Sequence, residues 1–379
     1  MGETHLSQQL TPQAMPPSFP QSFPMSVHDY MAACLNDYYH NPTSAIGSKG
    51  DFTTAPEISQ MFGEVLGMWL AYHAQQQNLT QTAHLVECGG GRGTLMADIL
   101  HAFKSLKHPP TPPAIHLIET NPHFKAMQRT RLATTDSPIH WHDTIDTLPQ
   151  APLLLVANEF FDCFPIEQYR FCQNRKTWQL RHVAKDKSKT SPKNSLAFTW
   201  CDFTPPKHYP QDKTTTAIHE FAPAHAAIIA TISQRIHAHG GAGVVIDYGK
   251  ETPLGDSLQA VRHHRPIHPL AIYDGIGDTG DINTIKATPA DITAWVNFAH
   301  LATIAKQNQA YVPPRQTQGD FLTSHGIMVR AEVLAATATA KQRRALNAAL
   351  DRLVSATHMG QAFKVMTLFP KKPASQPEA

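Results

Sequence analysis

Between residues 84 and 157 the chain alternates short apolar runs with longer stretches of helical period. The run 84–87 is strand-sized and ends in an acid, Glu87. The stretch 94–107 follows with Leu95, Ile99, Leu100 and Phe103 on one helical face. Pro109, Pro110, Pro112 and Pro113 close that helix. A second strand at 115–118 precedes Glu119, and Pro122 opens a helix to about residue 132 from a favourable first-turn position. A third strand at 139–142 precedes Asp143. The run 153–157 is continuously apolar, as a parallel strand covered on both faces must be. This alternation predicts a doubly wound α/β sheet.

From 168 to 201 the period changes, and 169–172, 177–183 and 196–200 predict antiparallel strands. The lysine-rich loop 185–193 between them reads as a solvated tip. A helix over about 224–238 is stopped by Gly240-Gly241-Ala242-Gly243, after which 244–246 returns to the sheet. Helices are predicted at 291–305 and 331–357, and a closing edge strand at 363–369. The resulting organisation has an N-terminal arm over 1–24, rich in Gln, Pro and Ser, and a helical segment over 25–80. The α/β core spans 81–168 and 217–250, interrupted by a hairpin insertion over 169–216. An accessory α+β region with the closing strand covers 251–369, and 370–379 is a tail.

Of the 379 residues, 41% are hydrophobic and 16% charged, enough for a sizeable core. Lys plus Arg number 32 against 30 Asp plus Glu, so no charge excess points to nucleic acid or a membrane surface. No apolar run approaches the ~18 residues of a membrane span. Five cysteines without a C-x-x-C spacing read as free thiols in a reducing compartment. The first arginine is Arg92, which argues against an Arg-rich mitochondrial presequence and favours a bacterial cytoplasmic location.

The sharpest local signal is Glu87-Cys88-Gly89-Gly90-Gly91-Arg92-Gly93-Thr94, between a strand and a helix. Gly89, Gly91 and Gly93 give G-x-G-x-G, whose lack of Cβ atoms lets a ligand lie against the backbone. A dinucleotide loop would carry glycine where Thr94 stands, so the pattern favours a nucleoside cofactor without a pyrophosphate, S-adenosylmethionine being the commonest on this topology. A plain strand-to-helix turn is the competing reading. Glu119 is placed to accept from both ribose hydroxyls and Asp143 from an adenine amino group, both beyond the carboxyl ends of strands. The fourth strand ends in Asn158-Glu159-Phe160-Phe161-Asp162, where Glu159 and Asp162 could hold a planar cation such as a guanidinium or could simply cap the loop. Asp247 and Tyr248, after the next strand, are placed to line the same mouth.

Gly50-Asp51-Phe52-Thr53-Thr54-Ala55-Pro56-Glu57-Ile58-Ser59-Gln60-Met61-Phe62-Gly63-Glu64 resembles the signature of the MidA/NDUFAF7-type (DUF185) S-adenosylmethionine-dependent methyltransferases. The glycine loop, the 158–162 stretch, Gly240 to Gly249, Pro289-Ala290-Asp291-Ile292-Thr293, Gln318-Gly319-Asp320-Phe321-Leu322 and Met359-Gly360 are similar to further family elements, in the expected order. The resemblance implies a class I methyltransferase fold and a cofactor pocket closed by the segment carrying Thr53 and Thr54. It also implies methylation of an arginine on a partner protein, a respiratory complex I subunit in the mitochondrial members. On this reading Glu159 and Asp162 are catalytic. Glu87, Gly89, Gly91, Gly93, Glu119, Asp143, Asn158, Thr53 and Thr54 hold the cofactor, and Asp247 and Tyr248 face the substrate.

The chain departs from the family at Gly90, where proline is usual, at Asn297, where an acid is usual, and at His268-Pro269-Leu270, where Asp-Pro-Leu is usual. The stretch 273–288 is longer than in the family. A homodimer is among the expected assemblies. The runner-up function is a non-catalytic assembly protein that uses S-adenosylmethionine as a structural ligand; an NAD-dependent oxidoreductase is third, disfavoured by Thr94. No H-E-x-x-H occurs among the 23 histidines, and Pro266 separates His264 from His268, so no metal is expected. Neither a G-x-S-x-G nor a Walker A sequence is present.

Overall fold

The central apolar runs become neighbouring strands covered on both faces, while the edge run Ile139–His142 is only partly covered. The structure, a computed structural model, describes residues 23–40, 53–188, 195–209, 211–253, 255–273 and 288–370. Its central sheet runs in the order Gln316–Thr317, Phe363–Leu368, Gly241–Lys250, Leu153–Asn158, His84–Cys88, Ile115–Ile118, Ile139–His142. The last five strands are mutually parallel; Phe363–Leu368 is antiparallel to Gly241–Lys250. Leu85, Leu154, Val156, Val244 and Ile246 enter one core with the helices Gln60–Gln76 and Thr94–Lys104. Val86, Leu155, Ala157 and Val245 enter the other, with Pro223–His239 and Phe298–Gln307. Chain order reverses between His84–Cys88 and Leu153–Asn158, and such a switch point opens a crevice at the carboxyl ends of the strands.

Two smaller sheets are added to this core, and the three-stranded one contributes Gln259, Asp291 and Thr293 to the lining of the crevice. Thr177–Lys185 pairs with Glu167–Cys172, Leu196–Phe203 and the short Met25–Ser26, all antiparallel, around Tyr169, Phe171, Trp178, Tyr209 and Phe221. Gln259–Arg262 pairs with Arg265–Ile267 and Asp291–Thr293. The helix Val27–His40 packs Tyr30, Met31, Cys34 and Leu35 against Leu258, Ala260, Ile272 and Ile292, joining the first segment to the late one. No helix among the described residues is long and apolar enough to cross a membrane.

The strands at 115–118 and 139–142 fall where the pattern predicts them. The helix from residue 94 ends earlier, at Lys104. Two helices need correction. Asp291–Thr293 is a strand, and the helix following it begins at Phe298, capped by Asn297, whose side chain accepts the His300 N–H at 3.0 Å. An asparagine serves that cap as well as an aspartate would, which accounts for the departure at this position. The 331–357 stretch is two helices, Ile327–Ala336 and Ala340–Val354, and a Thr339–Gln342 capping box starts the second. The strand after the glycines is longer than 244–246, because Gly241 approaches Leu153 so closely that a Cβ would stand 2.0 Å from its carbonyl oxygen. The Phe363–Leu368 strand is flanked on its outer side by the two-residue Gln316–Thr317, so it is not a bare edge. The 1–22 arm, Gly50, Asp51 and Phe52, the tip at 189–193, the 274–287 stretch and the 371–379 tail lie outside the described residues.

Candidate active site

The glycine loop leaves the switch-point strand with Gly89, Gly91 and Gly93 all in the left-handed region, at φ of 69°, 46° and 76°. At Gly89 closeness matters as well: a Cβ there would stand 2.8 Å from the Phe160 ring on the neighbouring 158–162 loop. Gln128, fully buried, ties the surroundings together. Its Nε2 donates to the Gly91 carbonyl at 2.8 Å and reaches the Glu119 Oε2 at 3.4 Å, while its Oε1 accepts from the Trp141 indole at 2.8 Å. The sequence reading missed Gln128. Its signal was a polar residue four positions after Phe124, on the buried face of the helix Pro122–Arg131.

A single cavity of about 1630 Å3 follows the carboxyl ends of the strands. It is lined by Glu87, Gly89, Gly91, Glu119, Asp143, Asn158, Glu159, Asp162, Tyr248 and Thr54 among the expected residues. Gly93 and Thr53 do not line it; Gly93 instead forms the start of the helix Thr94–Lys104. Burial, with the Glu119 charge nearby, pushes the Glu87 carboxyl up to about 8, and its Oε2 has no partner. Burial lifts Glu119 to about 6 against the Asn121 N–H, which donates to Oε1 at 2.9 Å. Asn158 is buried, with its Oδ1 unsatisfied. Asp143 is at the rim, its side chain 70% exposed and held by Lys125 at 2.7 Å.

The 158–162 loop is pinned from below by Asp247. This side chain has no exposed surface, and its Oδ2 accepts the N–H groups of Phe160, Phe161 and Asp162 at 3.1, 2.8 and 3.3 Å. Its Oδ1 accepts the Tyr248 N–H at 2.8 Å. Asp247 therefore holds the loop and does not line the cavity, which corrects its expected place at the substrate mouth. Tyr248 does line it. Burial raises both Asp247 and Asp162, and the two repel each other. Four donated N–H bonds make Asp247 the ionised member, and Asp162 is the one held well above the usual carboxylate range.

Glu159 sits at φ 50°, an αL conformation uncommon outside glycine and asparagine. Its Oε1 accepts from the Ala55 N–H at 3.0 Å and from Asn158 Nδ2 at 3.2 Å, while its Oε2 takes no hydrogen bond from the described residues. Burial pushes this carboxyl up to about 7. Among the described residues no lysine or arginine forms an ion pair with Glu159 or Asp162. A second residue the sequence reading missed is Glu57. It accepts from the Thr94 hydroxyl at 2.5 Å and lies 3.6 Å from the Arg92 guanidinium. This carboxylate at the N-terminus of the helix Thr94–Lys104 stands where a dinucleotide fold would receive a pyrophosphate.

The lining suits a positively charged nucleoside. The buried acceptors left open, Glu87 Oε2 and Asn158 Oδ1, face a cavity whose glycine loop leaves room for a ligand against the backbone. A family model described as "Putative S-adenosyl-L-methionine-dependent methyltransferase" matches residues 65–314. The chain belongs to this methyltransferase family.

Its relatives include the mouse "Protein arginine methyltransferase NDUFAF7, mitochondrial", 32% identical over 374 residues, covering 91% of this chain and 81% of that one. The zebrafish protein of the same name is 29% identical, covering 91% and 83%. A COG1565 superfamily member from Burkholderia thailandensis, solved with S-adenosyl-homocysteine, superposes with a TM-score of 0.70 at 22% identity, covering 91% and 87%. The fold of the methyltransferase is thus the class I α/β fold with added antiparallel sheets, and S-adenosylmethionine is its cofactor class. Among the described residues no group of three or more His, Cys, Asp or Glu could hold a metal ion.

Proposed function

We propose that this methyltransferase transfers a methyl group to a guanidinium nitrogen of an arginine on a partner protein. The observation that carries the reading is the pair Glu159 and Asp162, two half-buried carboxyls lining the cavity, with no lysine or arginine within ion-pair distance among the described residues and only the more distant charge of Arg352 acting on Glu159. Carboxyls in that state welcome a cation, and a guanidinium matches them in a planar, forked geometry. The name of the mouse relative points to the same acceptor. A respiratory complex I subunit is the partner the family resemblance suggests. Five unpaired cysteines accord with a cytoplasmic setting.

The bound cofactor supplies an electrophilic methyl on a sulfonium. Glu87, Asn158 and Glu119 hold it: Glu87 and Asn158 through acceptors left open, Glu119 as the candidate for the ribose hydroxyls. Asp162 and the Oε2 of Glu159 orient the guanidinium, so that one nitrogen is presented and positive charge gathers on the others. That nitrogen must shed one proton as the new N–C bond forms. Glu159, lifted to about 7, is matched to take it near neutral pH. Asp247 keeps both groups in place through the loop backbone. Incubating the enzyme and S-adenosylmethionine with candidate partner proteins, then mapping methyl groups by mass spectrometry, tests the acceptor. Methyl groups confined to lysine or carboxylate side chains would overturn the arginine reading.

A further inference from the structure

The cavity is larger than one cofactor requires. Ligand pockets commonly measure ~300–1,000 Å3, against about 1630 Å3 here. Part of the lining comes from outside the central sheet and its loops. Tyr39 comes from the helix Val27–His40, and Gln259, Asp291 and Thr293 come from the three-stranded accessory sheet.

That sheet is fixed to the catalytic loop by backbone. The Ala294 N–H donates to the Asp162 carbonyl at 3.2 Å, so the strand carrying Asp291 ends against the residue proposed to grip the substrate. The next residue, Trp295, donates its N–H to Ser257 at 2.9 Å, and the Lys250 ammonium lies over its ring at 3.6 Å. The placement of Asp291 is therefore a property of folded backbone.

We propose that Asp291 is a substrate-binding residue, the carboxylate that the accessory sheet contributes to the acceptor half of the cavity. The target side chain would enter between Asp291 and the 158–162 loop. This inference rests on the arginine reading above and names the group that selects for it. Electrostatics agrees: after burial and Asp247, the Asp291 charge raises Asp162, and it also raises Cys163 and Tyr39. A cation entering among these groups relieves that repulsion, whereas a neutral side chain of the same shape leaves it in place. Asp291 stands apart from the proton transfer assigned to Glu159, so it acts on binding more than on turnover.

The test uses two small probes on the full-length protein saturated with S-adenosyl-homocysteine. Nα-acetyl-arginine amide carries the guanidinium; Nα-acetyl-citrulline amide has nearly the same shape without the charge. Titration followed by NMR gives the affinity of each for wild type, Asp291→Asn and Asp291→Glu. The expected result is preference for the arginine probe in wild type, a ~10- to 100-fold loss of that preference in Asp291→Asn, and partial recovery in Asp291→Glu. S-adenosyl-homocysteine affinity should be unchanged in all three, which also shows that the variants fold. Equal arginine preference in wild type and Asp291→Asn would overturn the role of Asp291 while leaving the arginine reading intact. If wild type does not prefer arginine to citrulline, the arginine reading itself fails, and this inference with it.

Discussion

The Glu159 carboxylate accepts the Ala55 N–H at 3.0 Å, across 104 residues of sequence. Ala55 begins the short helix Ala55–Ile58, whose own N-cap residue, Thr54, makes no side-chain capping bond. An acid of the 158–162 loop thus supplies the acceptor the helix lacks, and the same helix carries Glu57 to Thr94 at the mouth of the glycine loop. The position of the 55–58 helix beside the glycine loop and the alignment of Glu159 are one arrangement.

Two substitutions separate those roles. Glutamine keeps an acceptor for the Ala55 N–H; alanine does not. Glu159→Ala should weaken S-adenosylmethionine binding by ~5- to 30-fold, about 1–2 kcal/mol for a lost cap, while Glu159→Gln should leave it within ~3-fold. Isothermal titration of both variants measures this. Equal affinity in the two would detach the 55–58 helix from the site.

Asp247→Asn should behave as a structural lesion. Its Oδ2 serves three N–H groups, and an amide NH2 turned toward any of them leaves a buried donor facing a donor. A loss of ~2–4 kcal/mol in stability is expected, with cofactor affinity and turnover falling together. Chemical denaturation and calorimetry on the same sample decide it. Wild-type stability with only the KM for the protein substrate raised would return Asp247 to the substrate mouth.

A pH dependence follows from the edge of the central sheet. His84 Nδ1 lies 2.8 Å from His116 Nε2, and His116 Nδ1 lies 2.8 Å from His142 Nε2, across three adjacent strands. His140 stacks on His116, while Asp143, Arg235 and Lys125 act on His142. Burial lowers all three bridging imidazoles, His116 to about 3. The unfolded chain binds these protons near pH 6.5 and the folded chain does not. Their contribution to stability is therefore complete above that pH and is lost progressively as pH falls below it. The raised carboxyls of Glu87, Glu119 and Glu159 act in the opposite direction. The informative quantity is then the difference between wild type and His116→Gln. Urea midpoints from pH 7.5 to 5 should fall less steeply in the variant; parallel curves would show that the ladder does not titrate.

Much of this was legible in the sequence because it is local. Strands buried on both faces read as unbroken apolar runs, and the glycine loop announces itself between one of them and a helix. Glu57, Gln128 and the loop-holding contacts of Asp247 were not legible, since each has a decisive partner far along the chain: Thr94 and Gly91, each 37 positions away, and the N–H groups of 160–162, up to 87 away. The break between the helices Ile327–Ala336 and Ala340–Val354 was missed because no glycine or proline marks it. Thr339 ends the Ala-Thr run there as a cap, and a cap is recognised by what it bonds. Asp291–Thr293 was read as helix because a three-residue strand is too short to show a period of two.

The central claim is that the charge of Glu159 acts on the methyl acceptor, while its Oε1 acceptor only holds the Ala55 N–H. The measurement is single-turnover methylation of the identified protein substrate by Glu159→Gln, saturated with S-adenosylmethionine and followed by intact-mass spectrometry. The account predicts a rate lower by ~100-fold, about 2.7 kcal/mol, with cofactor affinity within ~3-fold of wild type. A wild-type rate in this variant would contradict it.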